Sequence, residues 1–292
     1  MQSLFKKTVF VAVIILVIIG AVAIYSLFQK PVVVPPPVVV PVTNTPKHQV
    51  IGQSVQGRDI EAYTYGTSTR QIVFVGGIHG GYEWNSVLLA YQFMDYLKDN
   101  PATVPADLAI TVVPDANPDA VFAVTGKEGR FSIADISTST KVLERARFNA
   151  DDVDLNRNFD CKWQPKSTWQ NKTVSAGKSA FSEPEAQAIK NYALSNTPVA
   201  FVFWHSQSDA VYASQCQKGI LPITLDMMNA YAKASGYPAV KVFGAYATTG
   251  AADDWLSSIN IPAITVELKT HQSIEWDQNL AGIKSLLDYF KN

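Results

Sequence analysis

The chain has 292 residues, 47% of them hydrophobic and 11% aromatic, which is enough to bury a large core and too apolar for global disorder. Its formal net charge is −1, yet Lys6, Lys7, Lys30 and Lys47 fall in the first 47 residues with no acid beside them. The remainder is therefore net acidic, and no nucleic-acid partner is expected. With two cysteines and four histidines in the chain, a cysteine-built zinc finger is excluded, and any metal site must draw on histidine and carboxylate.

Residues 1–7 read as a short cytoplasmic stub. Residues 8–29 carry no charge and include the run Val9 to Ile19, nearly all of it β-branched or aliphatic. About 20 apolar residues cross a bilayer as a helix, so this segment is expected to be an uncleaved signal anchor. The lysines before it place the amino terminus in the cytoplasm and the rest outside, on a single-pass anchor. A cleavable signal peptide releasing a secreted protein is the competing reading, because Ala21-Val22-Ala23 resembles a cleavage site. Residues 30–47 are rich in proline and valine and are expected to form an extended spacer with a reach of roughly 50 Å. No segment of domain size precedes His48, so an inhibitory folded prosegment is not expected.

Residues 48–292 read as one domain. β-Branched runs at 71–75, 108–113, 199–203, 240–243 and 263–266 alternate with amphipathic stretches, the pattern of a layered α/β fold. Apolar residues at Val87, Leu88, Tyr91, Met94 and Leu97 predict a helix over 87–98. Ser182-Glu183-Pro184-Glu185 reads as a capping box opening a helix through Tyr192. Polar residues follow the strands in turn: His79, Asn117, His205, Tyr246 and Glu267. Ligands in open α/β sheets bind beyond the carboxyl ends of strands, so this recurrence points to a site.

His79 and Glu83 lie on the glycine-rich turn Gly76-Gly77-Ile78-His79-Gly80-Gly81-Tyr82-Glu83, and His205 ends another strand. Two imidazoles and a carboxylate are a donor set for catalytic zinc, although a histidine near a glutamate in a turn is ordinarily structural. His48 and His271 have no such context and read as surface residues. Glu267 closes a hydrophobic strand, where a carboxylate must be solvated by a cleft or paired. It is either a general base or a salt-bridge partner, for instance of Lys269.

These segments together resemble the zinc metallocarboxypeptidases of the carboxypeptidase A/B type. The matching pieces are Gly77-Ile78-His79-Gly80 with Glu83, Asn117-Pro118-Asp119, Arg147, Asp154-Leu155-Asn156-Arg157-Asn158-Phe159 and His205-Ser206. Tyr246 to Gly250, Asp254-Trp255 and Thr265-Val266-Glu267-Leu268 follow in the family's order. The resemblance implies a three-layer α/β/α sandwich around a mixed, mostly parallel twisted sheet, and hydrolysis of the C-terminal peptide bond of peptides with a free carboxylate. One zinc ion per chain would be held by His79, Glu83 and His205, with Asp154 behind His79. Glu267 would activate the attacking water, and Arg147, or Arg145 two residues away, would stabilise the oxyanion. Asn156, Arg157 and Tyr246 would hold the substrate's terminal carboxylate. The glutamate stands four residues after the first histidine, where family members have three.

Asp253, just before the Asp254-Trp255 pair, would lie at the base of the pocket for the last side chain and favour C-terminal Lys or Arg. The alternative is that Asp253 faces solvent or caps its helix, leaving Asp254 as the buried member. A disulfide between Cys161 and Cys216, which flank the cleft, is expected outside the cytoplasm. The rival readings are a murein-peptide amidase cutting next to diaminopimelate and an anchored, inactive peptide-binding module.

Overall fold

The computed structural model describes residues 45–291. The stub, the anchor expected over 8–29 and the spacer as far as residue 44 lie outside the described residues. Among the described residues no helix is long and apolar enough to cross a membrane.

The strands of the main sheet are Lys47–Gln53 (β1), Asp59–Tyr65 (β2), Gln71–Val75 (β3), Ala109–Val113 (β4), Ala200–Ser206 (β7), Ala210–Ala213 (β8), Ala239–Val240 (β9) and Ala263–Leu268 (β10). Lys166–Trp169 (β5) and Lys172–Ser175 (β6) form a separate antiparallel hairpin. The large sheet runs β1-β2-β4-β3-β7-β10-β8-β9. Its centre, β4-β3-β7-β10, is parallel, and antiparallel pairs bring in β2, β1 and β8. Every residue of β3, β4 and β7 is buried. These strands are therefore near-continuous apolar runs, as a sheet covered on both faces requires.

Two apolar clusters show the layers. Ile72 and Phe74 of β3 and Val202 and Trp204 of β7 pack against the helices Trp84–Asp99 (α1), Pro222–Ser235 (α5) and Trp276–Phe290 (α7). The alternate residues Val73, Val75, Phe201 and Phe203 face Pro184–Asn196 (α4) and Ala252–Ser258 (α6). The period of two along each strand thus feeds two cores. Three shorter elements complete the described residues used below: helices Pro118–Thr125 (α2) and Thr140–Arg145 (α3), and a 3-10 turn at Gly80–Glu83.

Several local expectations are corrected. The run 240–243 does not make a four-residue strand, because only Ala239 and Val240 pair, at the sheet's edge beside β8. Val242 there is exposed, so no second core face rewards extension. The capping box at Ser182 does not form. Glu183 is the N-cap of α4, Pro184 occupies the first turn, and Ser182 Oγ donates to Glu183 Oε1 at 2.6 Å instead. The helix predicted over 87–98 is longer, beginning at Trp84 directly after Glu83. Lys47, assigned to the spacer, opens β1.

Candidate metal centre

β3 ends against Gly76-Gly77, and the chain reverses there to deliver His79. Gly77 has φ +71, and a Cβ on it would meet Asp115 Oδ1 at 2.6 Å, so a side chain is excluded on both counts. The 3-10 turn Gly80–Glu83 then absorbs the additional residue between His79 and Glu83 and turns the carboxylate back toward β7. Glu83 Oε2 lies 3.0 Å from His205 Nδ1 and accepts the Ser206 backbone N–H at 3.1 Å. The rings of His79 and His205 are 4.9 Å apart.

One donor atom from each of His79, Glu83 and His205 falls within 4.8 Å of the others, and all three residues are buried. His79 Nδ1 is buried with no hydrogen-bond partner among the described residues. Three buried donors of this chemistry beside an open cavity match a catalytic zinc site, which keeps three protein ligands and one free position. The residues present therefore fit the ion.

Burial pushes His79 well below its ordinary pKa, and the charges of Arg147, His205 and Arg157 act in the same direction. Its imidazole is thus a neutral lone-pair donor. For His205, burial also opposes the charged form, but the carboxylates of Glu83, Glu267 and Asp253 together outweigh it and raise the pKa. Asp154, fully buried, stands behind both the ligands and the arginine. Its Oδ1 is 3.6 Å from His79 Nδ1, and its Oδ2 accepts Arg147 Nε at 2.9 Å.

The trio opens into a cavity of about 330 Å³. Glu267 and His205 are register partners on the neighbouring parallel strands β10 and β7, so the carboxylate borders the metal site by strand pairing alone. Burial, then the charge of Glu83, raises Glu267 to about 7, while His205 and Arg147 pull the other way. Among the described residues no ion pair joins it to Lys269. Arg147 is 3% exposed, lines the cavity, approaches Glu83 Oε1 at 3.5 Å and lies over the Trp169 ring at 4.6 Å. Arg145 turns away to Asp152 at 2.8 Å and is half-exposed, which decides between the two arginines.

Asn156 and Arg157 line the same cavity. Asn156 Oδ1 accepts the Ala252 N–H at 2.9 Å, leaving its amide hydrogens available. Arg157 donates to the Thr168 carbonyl through Nε and Nη2, at 3.2 and 3.1 Å. Tyr246 lines the cavity beside Phe243, and burial raises its hydroxyl pKa against the pull of Arg147 and Arg157. Asp253 and Asp254 both border the cavity and both are partly exposed. Asp253 accepts from Thr265 Oγ1 at 3.1 Å, and Asp254 accepts the Gln215 N–H at 2.8 Å. Burial raises both, Asp254 to about 8. Cys161 and Cys216 form the expected disulfide, with Cα atoms 6.0 Å apart.

Two residues fall elsewhere than expected. Asn117, grouped with the strand-end residues, is the buried N-cap of α2 and does not border the cavity. His271, expected on the surface, lines the cavity, its Nδ1 2.6 Å from Ser206 Oγ and its ring edge-on to Tyr82 at 4.6 Å. Burial lowers its pKa, against the attraction of Glu83. His48 is on the surface as expected, paired with Glu61 at 2.8 Å. Trp169 and Tyr82 are further wall residues that sequence reasoning missed. For Trp169 the available signal was the hairpin: two short β-rich runs flank Gln170-Asn171.

The zinc carboxypeptidase family profile matches residues 44–280, and the chain belongs to this family. It is accordingly a zinc-dependent peptide hydrolase. Solved structures share the fold at low identity. Bovine thrombin-activatable fibrinolysis inhibitor, in complex with tick carboxypeptidase inhibitor, superposes with a TM-score of 0.65 at 18% identity, covering 84% of this chain and 90% of that one. Carboxypeptidase A from Helicoverpa armigera gives 0.62 at 19%, covering 85% and 70%. The murein-tripeptide amidase MpaA from Escherichia coli O157 gives 0.59 at 20%, covering 85% and 94%.

Proposed function

We propose that the chain is a membrane-anchored carboxypeptidase that removes C-terminal Lys or Arg from peptides. The observation that carries the specificity is a cavity whose wall bears Asp253 together with the donors Asn156 and Arg157. A carboxylate confined there favours a cationic side chain and is left unpaired by an apolar one.

His79, Glu83 and His205 hold the zinc. When bound, the ion supplies Lewis acidity at the scissile carbonyl and acidifies water. Glu267 takes the proton of the attacking water and returns it to the departing amine as the C–N bond breaks, a task suited to a carboxylate raised toward neutrality. Arg147, already oriented by Asp154, stabilises the oxyanion. The free amide hydrogens of Asn156 and the guanidinium fork of Arg157 hold the terminal carboxylate, with Tyr246 closing over it.

Extracytoplasmic placement is supported by the disulfide, which persists in oxidising compartments, and by the uncharged stretch over residues 8–29. Proteolysis of intact cells, followed by sizing of the membrane-bound fragment, tests the anchor; a soluble mature chain starting near residue 24 would instead show signal cleavage.

Hydrolysis profiling of peptides ending in Lys, Arg, Phe or diaminopimelate tests the substrate class. Asp253→Ile is expected to lower the Lys-to-Phe preference by about 100-fold; an unchanged preference refutes the assignment. The second reading, a murein-peptide amidase, rests on the same Asp253, which would pair equally with the side-chain ammonium of diaminopimelate. It prevails if diaminopimelate peptides alone are cleaved.

A further inference from the structure

His271 borders the cavity but has none of the roles assigned above. The position of its proton follows from the groups behind it. Asn85, fully buried, gives its amide hydrogens to the Thr270 and Ser273 carbonyls at 2.7 and 2.8 Å. Only an NH₂ group serves two carbonyls, so Asn85 Oδ1 faces Ser206 and accepts its hydroxyl at 3.0 Å. With that proton committed, Ser206 Oγ accepts from His271, at 2.6 Å. Nδ1 of His271 therefore carries the hydrogen, and Nε2 carries a lone pair. Nε2 has no partner among the described residues.

Its place along the cavity is equally defined. Thr265, which holds Asp253, precedes Glu267 on β10, whereas His271 follows it. On β7, Ser206 lies just beyond His205. On the carboxypeptidase reading, the departing residue, held at Asn156, Arg157 and Asp253, would occupy the Thr265 side of Glu267. The acyl part of the peptide would then leave across the side formed by Tyr82, Ser206 and His271.

Resting on the carboxypeptidase reading, we propose that His271 is a substrate-binding residue for the acyl part, its Nε2 accepting the backbone N–H of the residue that supplies the scissile carbonyl. The hydrogen-bond chain from Asn85 through Ser206 fixes the ring beforehand, so little side-chain freedom is lost on binding.

The test compares acetyl-alanyl-lysine with acetyl-lactyl-lysine, in which oxygen replaces that N–H, on the zinc-loaded full chain. If profiling finds another preferred C-terminal residue, it replaces lysine in both. The wild-type kcat/KM is expected to fall about tenfold from the alanyl to the lactyl substrate, one net hydrogen bond. His271→Asn keeps a donor at the Nδ1 position but lacks the distal acceptor. It is expected to lose about the same factor on the alanyl peptide and to treat both substrates alike. His271→Gln, with an amide oxygen available near the Nε2 position, is expected to recover part of the discrimination.

A wild-type ratio near one overturns the proposal. So does a His271→Asn variant that keeps the wild-type ratio, and if its thermal midpoint also falls, the residue is structural only. If the wild type cleaves neither peptide, the carboxypeptidase reading itself fails and takes the proposal with it.

Discussion

His205 and Glu267 ride on adjacent parallel strands near the centre of the sheet, and their spacing is set by backbone pairing. Asn156 and Arg157 sit outside the sheet on the single 3-10 turn Leu155–Arg157, positioned by individual side chains. Asn158 alone donates to the Ala176 and Ser179 carbonyls and to Ser182 Oγ, at 2.7, 3.0 and 3.1 Å, and accepts the Glu183 N–H at 3.0 Å. Gly250, at φ +71, presses against the Arg157 carbonyl and bonds to Phe159 and Cys161. His205 and Glu267 thus depend on the ladder, which survives most single substitutions. Substrate-holding groups depend on polar cross-links, each of which a single change removes.

The largest expected effect lies on the strand side. Glu267→Gln should lower kcat/KM by about 10³-fold, within the range for loss of a general base, with zinc content and thermal midpoint preserved. A variant within tenfold of wild type would deny Glu267 its role.

On the loop side, replacing both Cys161 and Cys216 with serine should cost about 4 kcal/mol in unfolding free energy by loop-closure entropy, the bridge spanning a sequence separation of 55. Denaturant titration measures it, and a raised KM should accompany it. Asn158→Ala should cost about 2–3 kcal/mol, since several buried partners lose their hydrogen bonds at once. Its kcat/KM should fall mainly through KM. A loss confined to kcat would erase the distinction between the two regions.

The smallest effect is a pH dependence. Without metal, burial and the charge of Glu83 push folded Glu267 up to about 7, above the roughly 4.3 of an ordinary glutamate. Between these values the folded state keeps a proton that the unfolded chain has released, so stability from this group falls as pH rises. In chelator, the thermal midpoint of Glu267→Gln minus that of wild type should therefore grow from pH 4.5 to 7. A constant difference would place Glu267 in contact with bulk water.

The metal site was legible because its residues interrupt apolar runs where polar side chains need a reason. His79 follows two glycines, and His205 and Glu267 close strands of Phe, Val and Ile. The central strands were legible for the same reason, as continuous β-branched runs. β1 and β2 were not: β1 is mostly exposed and shows no apolar alternation, so its strand character comes from pairing with β2. His271 also escaped notice, because its place is set by Asn85 and Ser206, far away in sequence and recognisable only once α1 and β7 meet. The choice between Arg145 and Arg147 likewise turned on α3, which ends between them and sends one to Asp152 and the other to Asp154.

The pairing of Glu267 with His205 has an evolutionary corollary. Neighbouring strands keep a separation of about 4.8 Å whatever loops they carry, so insertions, deletions and exchanges in the chain around Asn156, Asp253 or His271 can retarget the scaffold without retuning the bond-breaking step. New substrates can be acquired by editing the rim.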